Sequence, residues 1–152
     1  MKAPAGWSKV ELGEAIQRTE LGGNYLGSRS EDGVPLIKMG NMDRGRFVVR
    51  EHERLPQNAE INPRDYLQRG DLLLNTRNSL DLVGKVAMWR GELTNAVFNS
   101  NIMRLVPDAS IIASVSFLNF LLNSEPKLRE IRRRATGTTS VAAIYWRDLE
   151  SL

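Results

Sequence analysis

Between Gly70 and Trp89 the chain reads GDLLLNTRNSLDLVGKVAMW, and this segment constrains the fold more than any other. Gly70-Asp71 launches the apolar triplet Leu72 to Leu74, polar turn-forming residues occupy 75–82, and Val83 to Trp89 resumes a strand-like pattern. Two apolar runs separated in this way predict two strands, with TRNSLD at the tip of the loop between them. The core begins here.

The rest of the chain supplies partners for that pair. Pro4 to Trp7 reads as a lead-in loop, with Trp7, Val10 and Leu12 as a first apolar anchor and Gly13 to Arg18 as a helical turn. Residues 19–33 carry four Gly and no usable periodicity, which predicts a surface loop. VPLIKM at 34–39 reads as a buried strand, GNMDRG at 40–45 as a turn and RFVV at 46–49 as the returning strand of a hairpin. Residues 58–70 are polar and broken by Pro63, and a further strand covers 99–106 until Pro107-Asp108 ends it. From Ile111 to Leu122 the period changes, with Ile112, Val115, Leu118 or Asn119, and Leu122 on one helical stripe. Ser124 reads as the N-cap of a second helix running to Ala135, with Glu125 and Pro126 in its first turn and Leu128 and Ile131 facing inward. At 152 residues a single domain over 1–152 is expected.

Composition narrows the setting. The chain is 41% hydrophobic and 26% charged, and no apolar stretch is long enough to cross a bilayer. It has no Cys and opens on MKAPAGW, without a secretory h-region, so a cytoplasmic location is expected. Net charge is only +3, but residues 126–147 hold six basic side chains against one acidic. That patch pairs with phosphates or forms the solvated face of a helix, and charge alone leaves both open.

Catalytic chemistry is nearly absent from the sequence. His52 is the one histidine and lies in the charged string REHER, where it reads as a solvated loop or strand-edge residue, so neither a zinc set nor a Ser-His-Asp arrangement can be assembled. There is no phosphate-cradling GxxxxGK[ST] loop and no GxGxxG fingerprint. Asn62-Pro63 is followed by Arg-Asp, lacking the aromatic residue of an adenine methyltransferase pocket. Asp108 with Glu125-Pro126-Lys127 matches the bare spacing of a metal-dependent nuclease, but a Pro inside the motif and a helix cap around it are the wrong context. A metal-dependent nuclease and a protein-interaction module without DNA binding stand as the alternatives.

What remains is recognition chemistry. The chain has eleven Asn, and sixteen of its twenty-one basic residues are Arg. Arg grips guanine O6 and N7 bidentately and Asn does the same to adenine N6 and N7, so loops that offer both can read a major groove. Lys38, Asn41 and Arg44 on the first turn, and Arg77, Asn78 and Ser79 on the second loop, are the candidates. Asn41 and Asn78 read equally as plain turn residues. A second constellation follows the arginines Arg132, Arg133 and Arg134: Thr136, Gly137, Thr138, Thr139 and Ser140 set small hydroxyls and backbone N–H groups where a phosphate can approach. Gly137 also fits as the C-cap of the preceding helix.

On GWSKVELGE at 6–14, VPLIKMGNMDRG at 34–45, GDLLLNTRNSLDLVGK at 70–85, NSNIMRLVP at 99–107, and the closing ATGTTSVAAI and DLESL, the sequence resembles a target recognition domain of the specificity subunit of type I restriction-modification systems. The resemblance implies a compact α/β domain of the α+β type, with a curved, mostly antiparallel sheet and C-terminal helices, whose loops enter a DNA groove. It implies double-stranded DNA as partner, with each domain reading one half of a split site. Methylation, using S-adenosylmethionine, and cleavage would belong to separate modification and restriction subunits, so this chain would need no cofactor or metal. A spacer helix is expected after 152 in such a subunit.

Overall fold

The computed structural model describes residues 2–152. Leu72, Leu73 and Leu74 are all buried, and with Asn75 they form β4 (Leu72–Asn75). Successive side chains of a strand point to opposite faces, so Leu72 and Leu74 join one apolar cluster and Leu73 another. Both faces of β4 are therefore covered, which is why its sequence shows no polar alternation. It is flanked by β8 (Ile102–Pro107) and β6 (Val86–Met88), and β1 (Ile16–Leu21) pairs with β8 to complete an antiparallel sheet of order β1-β8-β4-β6.

One face of this sheet is sealed by helices. α2 (Val115–Leu122) and α3 (Glu125–Arg134) bury Leu118, Leu122, Leu128 and Ile131, and α1 (Leu12–Ala15) and α4 (Trp146–Leu149) add Leu12 and Leu149 to the same cluster. The other face is covered by Ile37, Phe47, Trp89 and Phe98, with Phe47 edge-on to Trp89. Ile37 ends β2 (Val34–Ile37), which pairs antiparallel with β3 (Glu53–Leu55) and parallel with β7 (Val97–Phe98). A third small sheet joins β5 (Arg77–Asn78), β10 (Ala142–Ala143) and β9 (Thr136–Gly137) in the order β5-β10-β9. This is the expected α+β class with mostly antiparallel pairing.

Several expectations need correction. Residues 16–21 form β1 rather than the end of a helical turn and the start of a loop. As an edge strand with a register shift between Ile16 and Arg18, β1 keeps most of its side chains outside, so it carries no strand-like alternation to read. The hairpin expected from 34–49 does not form. Residues 42–47 close on themselves, with Asp43 N donating to Arg46 O at 2.9 Å, and the strand that returns along β2 is β3. α2 begins at Val115, not Ile111, because Ser114 Oγ accepts Phe117 N at 3.2 Å, while Asp108 organises a separate turn through Ser110. Ser124 does occupy the N-cap of α3, although its side chain makes no capping bond there. His52 is half-buried rather than simply solvated, its Nδ1 donating to Val49 O at 3.0 Å.

Among the described residues no helix is long and apolar enough to cross a membrane, and no group of three His, Cys, Asp or Glu is placed to hold a metal ion. The carboxylates of the nuclease-like spacing have other partners: Asp108 accepts from Ser110, which holds its pKa below the usual carboxylate value, and Glu125 faces Arg129 at 3.9 Å.

Candidate nucleic-acid interface

Asn75, fully buried at the end of β4, determines the shape of the loop that follows it. Its Nδ2 donates to Arg77 O at 3.0 Å and to Asn101 O at 3.1 Å, and its Oδ1 accepts from Asn78 Nδ2 at 3.0 Å. A buried amide left unsatisfied would cost about 1–3 kcal/mol, so these bonds hold the loop in one arrangement. Thr76 N donates to Asn101 O, Ile144 N to Thr76 O and Leu80 N to Thr139 O, tying the same loop to two distant parts of the chain.

The result is the β5-β10-β9 sheet. Arg77 lies opposite Ala143 and Asn78 opposite Ala142, and those two alanines pair in turn with Thr136 and Gly137. The two segments that the sequence marks as richest in recognition groups, 77–79 and 136–140, are thus brought into one small sheet, on either side of β10. Gly137 serves in β9 and is not the helix C-cap, which is Ala135. Its φ of 128° is open to glycine, and a Cβ there would meet Val141 O at 2.4 Å. Thr138 closes the β9–β10 turn, donating its N–H to Val141 O at 2.8 Å and accepting Val141 N on Oγ1 at 3.2 Å, which leaves Thr139 and Ser140 exposed at the tip.

Beside this sheet lies an open groove of about 600 Å³, whose walls include Glu20, Arg64, Arg77, Ser100, Asn101 and Tyr145. Arg77 is exposed and its guanidinium has no hydrogen bond or ion pair among the described residues. Arg147 stacks over the Tyr145 ring at 5.0 Å from its centroid, making a flat, cationic rim. Arg64, Ser100, Asn101 and Tyr145 were not anticipated from sequence, and Arg147 only as one charge of the basic 126–147 patch. The run Tyr145-Trp146-Arg147, aromatic beside basic, is the signal that could have found part of this set.

The other anticipated residues divide. Arg133 is exposed and Arg132 half-buried on α3, both without an ion pair among the described residues. Arg134 is turned inward: Nη1 donates to Asp148 O at 2.9 Å and Ser151 Oγ at 2.7 Å, and Nη2 to Glu130 Oε1 at 3.3 Å. Glu130 in turn is held below its usual pKa by Lys127 and then by Arg134, so it stays ionised as an anchor. We expect Arg134→Ala to lower stability by about 1–2 kcal/mol through loss of the α3–α4 tie, measured by urea unfolding, without the change in salt dependence that loss of a phosphate contact would bring.

Asn41 is buried and its carboxamide is fully used, accepting Lys38 N at 3.1 Å and donating to Val48 O and Glu51 O at 3.2 and 2.8 Å. Asn78 likewise donates to Asn75 and accepts Ser79 N at 2.9 Å, so both asparagines shape their turns. Lys38 Nζ meets Glu53 Oε2 at 2.7 Å. Arg44 lies in a different depression, with Arg46, Arg90 and Phe120. That depression adjoins β6, through the bridge between Gly45 and Ala87, whereas the Arg77 groove includes β1 residues. Since β1 and β6 are the opposite edges of the central sheet, Arg44 is not gathered with Arg77.

No protein-family model matches the chain, and no curated protein matches it either. Solved structures do. One similar chain belongs to a structure described as the basis of complex assembly and conformational transition of the type I R-M system, with a TM-score of 0.61 and 18% identity over 100% of this chain and 34% of that one. Another is the HsdS subunit from Thermoanaerobacter tengcongensis, with a TM-score of 0.55 and 17% identity over 100% of this chain and 33% of that one. This chain therefore spans about a third of the length of each. At such identities the likeness is one of fold, and the fold that the sequence resemblance implied is the one observed.

Proposed function

We propose that this chain is a target recognition domain of a type I restriction-modification specificity subunit, which reads one half of a bipartite site in double-stranded DNA. The observation that carries this reading is the β5-β10-β9 sheet, which gathers Arg77 and the Thr136 to Ser140 turn on either side of β10, with Arg77 and Tyr145, under Arg147, lining one groove. Arg77 supplies a bidentate donor fork for a base edge, Thr138, Thr139 and Ser140 supply hydroxyls and backbone N–H groups for phosphate, and Arg132 and Arg133 add charge. Arg44, in a separate depression, and Lys38, paired with Glu53, serve at most as phosphate contacts. The likeness in fold to chains from type I R-M structures supports the same assignment.

In this reading the chain is not an enzyme. It works in the cytoplasm and directs a modification subunit, which binds S-adenosylmethionine, to adenines within the target, and a restriction subunit to unmodified DNA. The experiment is to map methylated bases in the genome of the source organism with and without the parent gene. Loss of one split adenine motif is the expected result. An unchanged methylation pattern contradicts the proposal.

A further inference from the structure

Along β10 and the residues around it, side chains alternate in a way that a solvated strand would not choose. Ala142 and Ile144 are buried in the main apolar cluster, while Val141, Ala143 and Tyr145 point the other way. A strand with one wet face normally carries polar residues there. Here the outward positions are apolar: Val141 is 61% exposed at the hairpin tip, Ala143 lines the groove, and Tyr145 is 46% exposed.

The surroundings of this stripe are cationic and polar. Ala143 lies between Arg77 on one neighbouring strand and Thr136 on the other, Tyr145 carries the Arg147 guanidinium over its ring, and Thr139 and Ser140 sit next to Val141. A partner that meets this face must therefore present small apolar groups between hydrogen-bonding edges and phosphates. Duplex DNA does so at thymine, whose 5-methyl group lies in the major groove beside the acceptor O4.

We infer that the outward stripe Val141–Ala143 reads thymine 5-methyl groups, so that the half-site recognised by this chain contains at least one thymine sensed by its methyl. The inference rests on the DNA-reading assignment above and adds the base chemistry of the contact. Rigid pairing of β10 on both sides keeps Val141 and Ala143 fixed relative to Arg77, so a guanine or phosphate contact by Arg77 and a methyl contact by the stripe would be made in one register.

The test starts from a randomised duplex pool, from which the chain selects its preferred motif. The motif duplex is then made with thymine or with deoxyuridine, which lacks only the methyl group. We expect deoxyuridine to weaken binding by the unmodified chain about fourfold per sensed methyl, the worth of one buried methylene-sized group. We expect Val141→Ser, an exposed and structurally silent change, to bind the two duplexes nearly alike when Val141 is the sensor, and Val141→Thr, which keeps a methyl, to retain the discrimination. A motif without thymine, or a motif bound equally well with deoxyuridine, overturns the inference while leaving DNA reading intact. Failure to enrich any motif counts against DNA reading itself, and the methyl contact falls with it.

Discussion

Replacing Arg104 with Met should lower the free energy of unfolding by about 3–5 kcal/mol. Arg104 is 8% exposed on β8, the strand between β1 and β4. Its Nη1 donates to Glu20 Oε2 at 2.8 Å and to Arg64 O at 2.7 Å, and its Nη2 meets Asp71 Oδ2 at 2.9 Å and Tyr66 O at 2.7 Å. The guanidinium also lies 4.8 Å from the Phe98 ring centroid. A methionine would fill the space of the stem but remove the donor shared by two carboxylates, each less than a fifth exposed, and two carbonyls, leaving Glu20 with Arg18 and Asp71 with the Gln68 N–H. Breaking one side of a buried ion pair costs far more than the pair contributes over an apolar isostere. Arg104→Lys should fall between, because one ammonium cannot span four acceptors. Urea unfolding at neutral pH is the measurement, and a loss below about 1 kcal/mol for Arg104→Met would show that the network does not hold the sheet edge.

The same network sets an acid response. Arg104, and after it Arg18, hold the Glu20 pKa below its ordinary value of 4.5. A carboxylate with a depressed folded pKa adds stability that is present above its unfolded pKa and is lost as pH falls through the folded one. In the native chain, part of the stability should therefore disappear below about pH 4.5, and Arg104→Met should show a shallower decline over the same range.

Arg77→Ala should weaken binding to the preferred duplex by about 1–3 kcal/mol, roughly five- to 150-fold, while leaving affinity for unrelated sequence nearly unchanged. The guanidinium is exposed and makes no hydrogen bond or ion pair among the described residues, and its backbone is paired on β5 and pinned by Asn75, so the root of the side chain is held in place. Arg133→Ala is the contrast. Its side chain projects from α3 and would neutralise phosphate, so its loss should reduce affinity for every sequence and make the slope of log K against log salt shallower by about 0.9. Affinities of both variants on preferred and scrambled duplexes, at two salt concentrations, separate these roles. Equal losses on both duplexes for Arg77→Ala would remove it from base reading.

How much of this was legible in the sequence follows from where each signal is generated. β4 and β6 were readable because a strand buried on both faces must be continuously apolar, and Leu72 to Leu74 is. α3 was readable because Pro126 and the spacing of Leu128 and Ile131 are local helix signals. β1 was not: as a bulged edge strand it buries little, and what holds Glu20 is Arg104, whose register no local window contains. β3 was missed for a similar reason, since REHER is charged and its pairing with Val34 to Leu36 is a long-range event.

The site shows the same division. That the Arg77 loop and the Thr136 to Ser140 turn carry recognition groups was visible in their composition, but their pairing through β10 was not. Composition also overstated some members. Asn41, Asn78 and Arg134 have the right chemistry for DNA, yet their polar atoms are taken up by the protein itself. Conversely, Asn101 and Tyr145 enter the groove only because the ends of distant strands meet there.

On the proposed function, the face built by β5, β10 and β9 lies against duplex DNA. The chain contains no cysteine, so a single Cys introduced at Thr139, Ser100 or, as a control outside the groove lining, Ser30 can carry a photoactivatable cross-linker at one known place. Thr139 is at the hairpin tip and Ser100 in the groove wall, whereas Ser30 lies in the exposed loop before β2. Irradiation with duplex DNA should give cross-links from Thr139→Cys and Ser100→Cys and little from Ser30→Cys. Cross-links from position 30 with none from 100 or 139 would contradict the account.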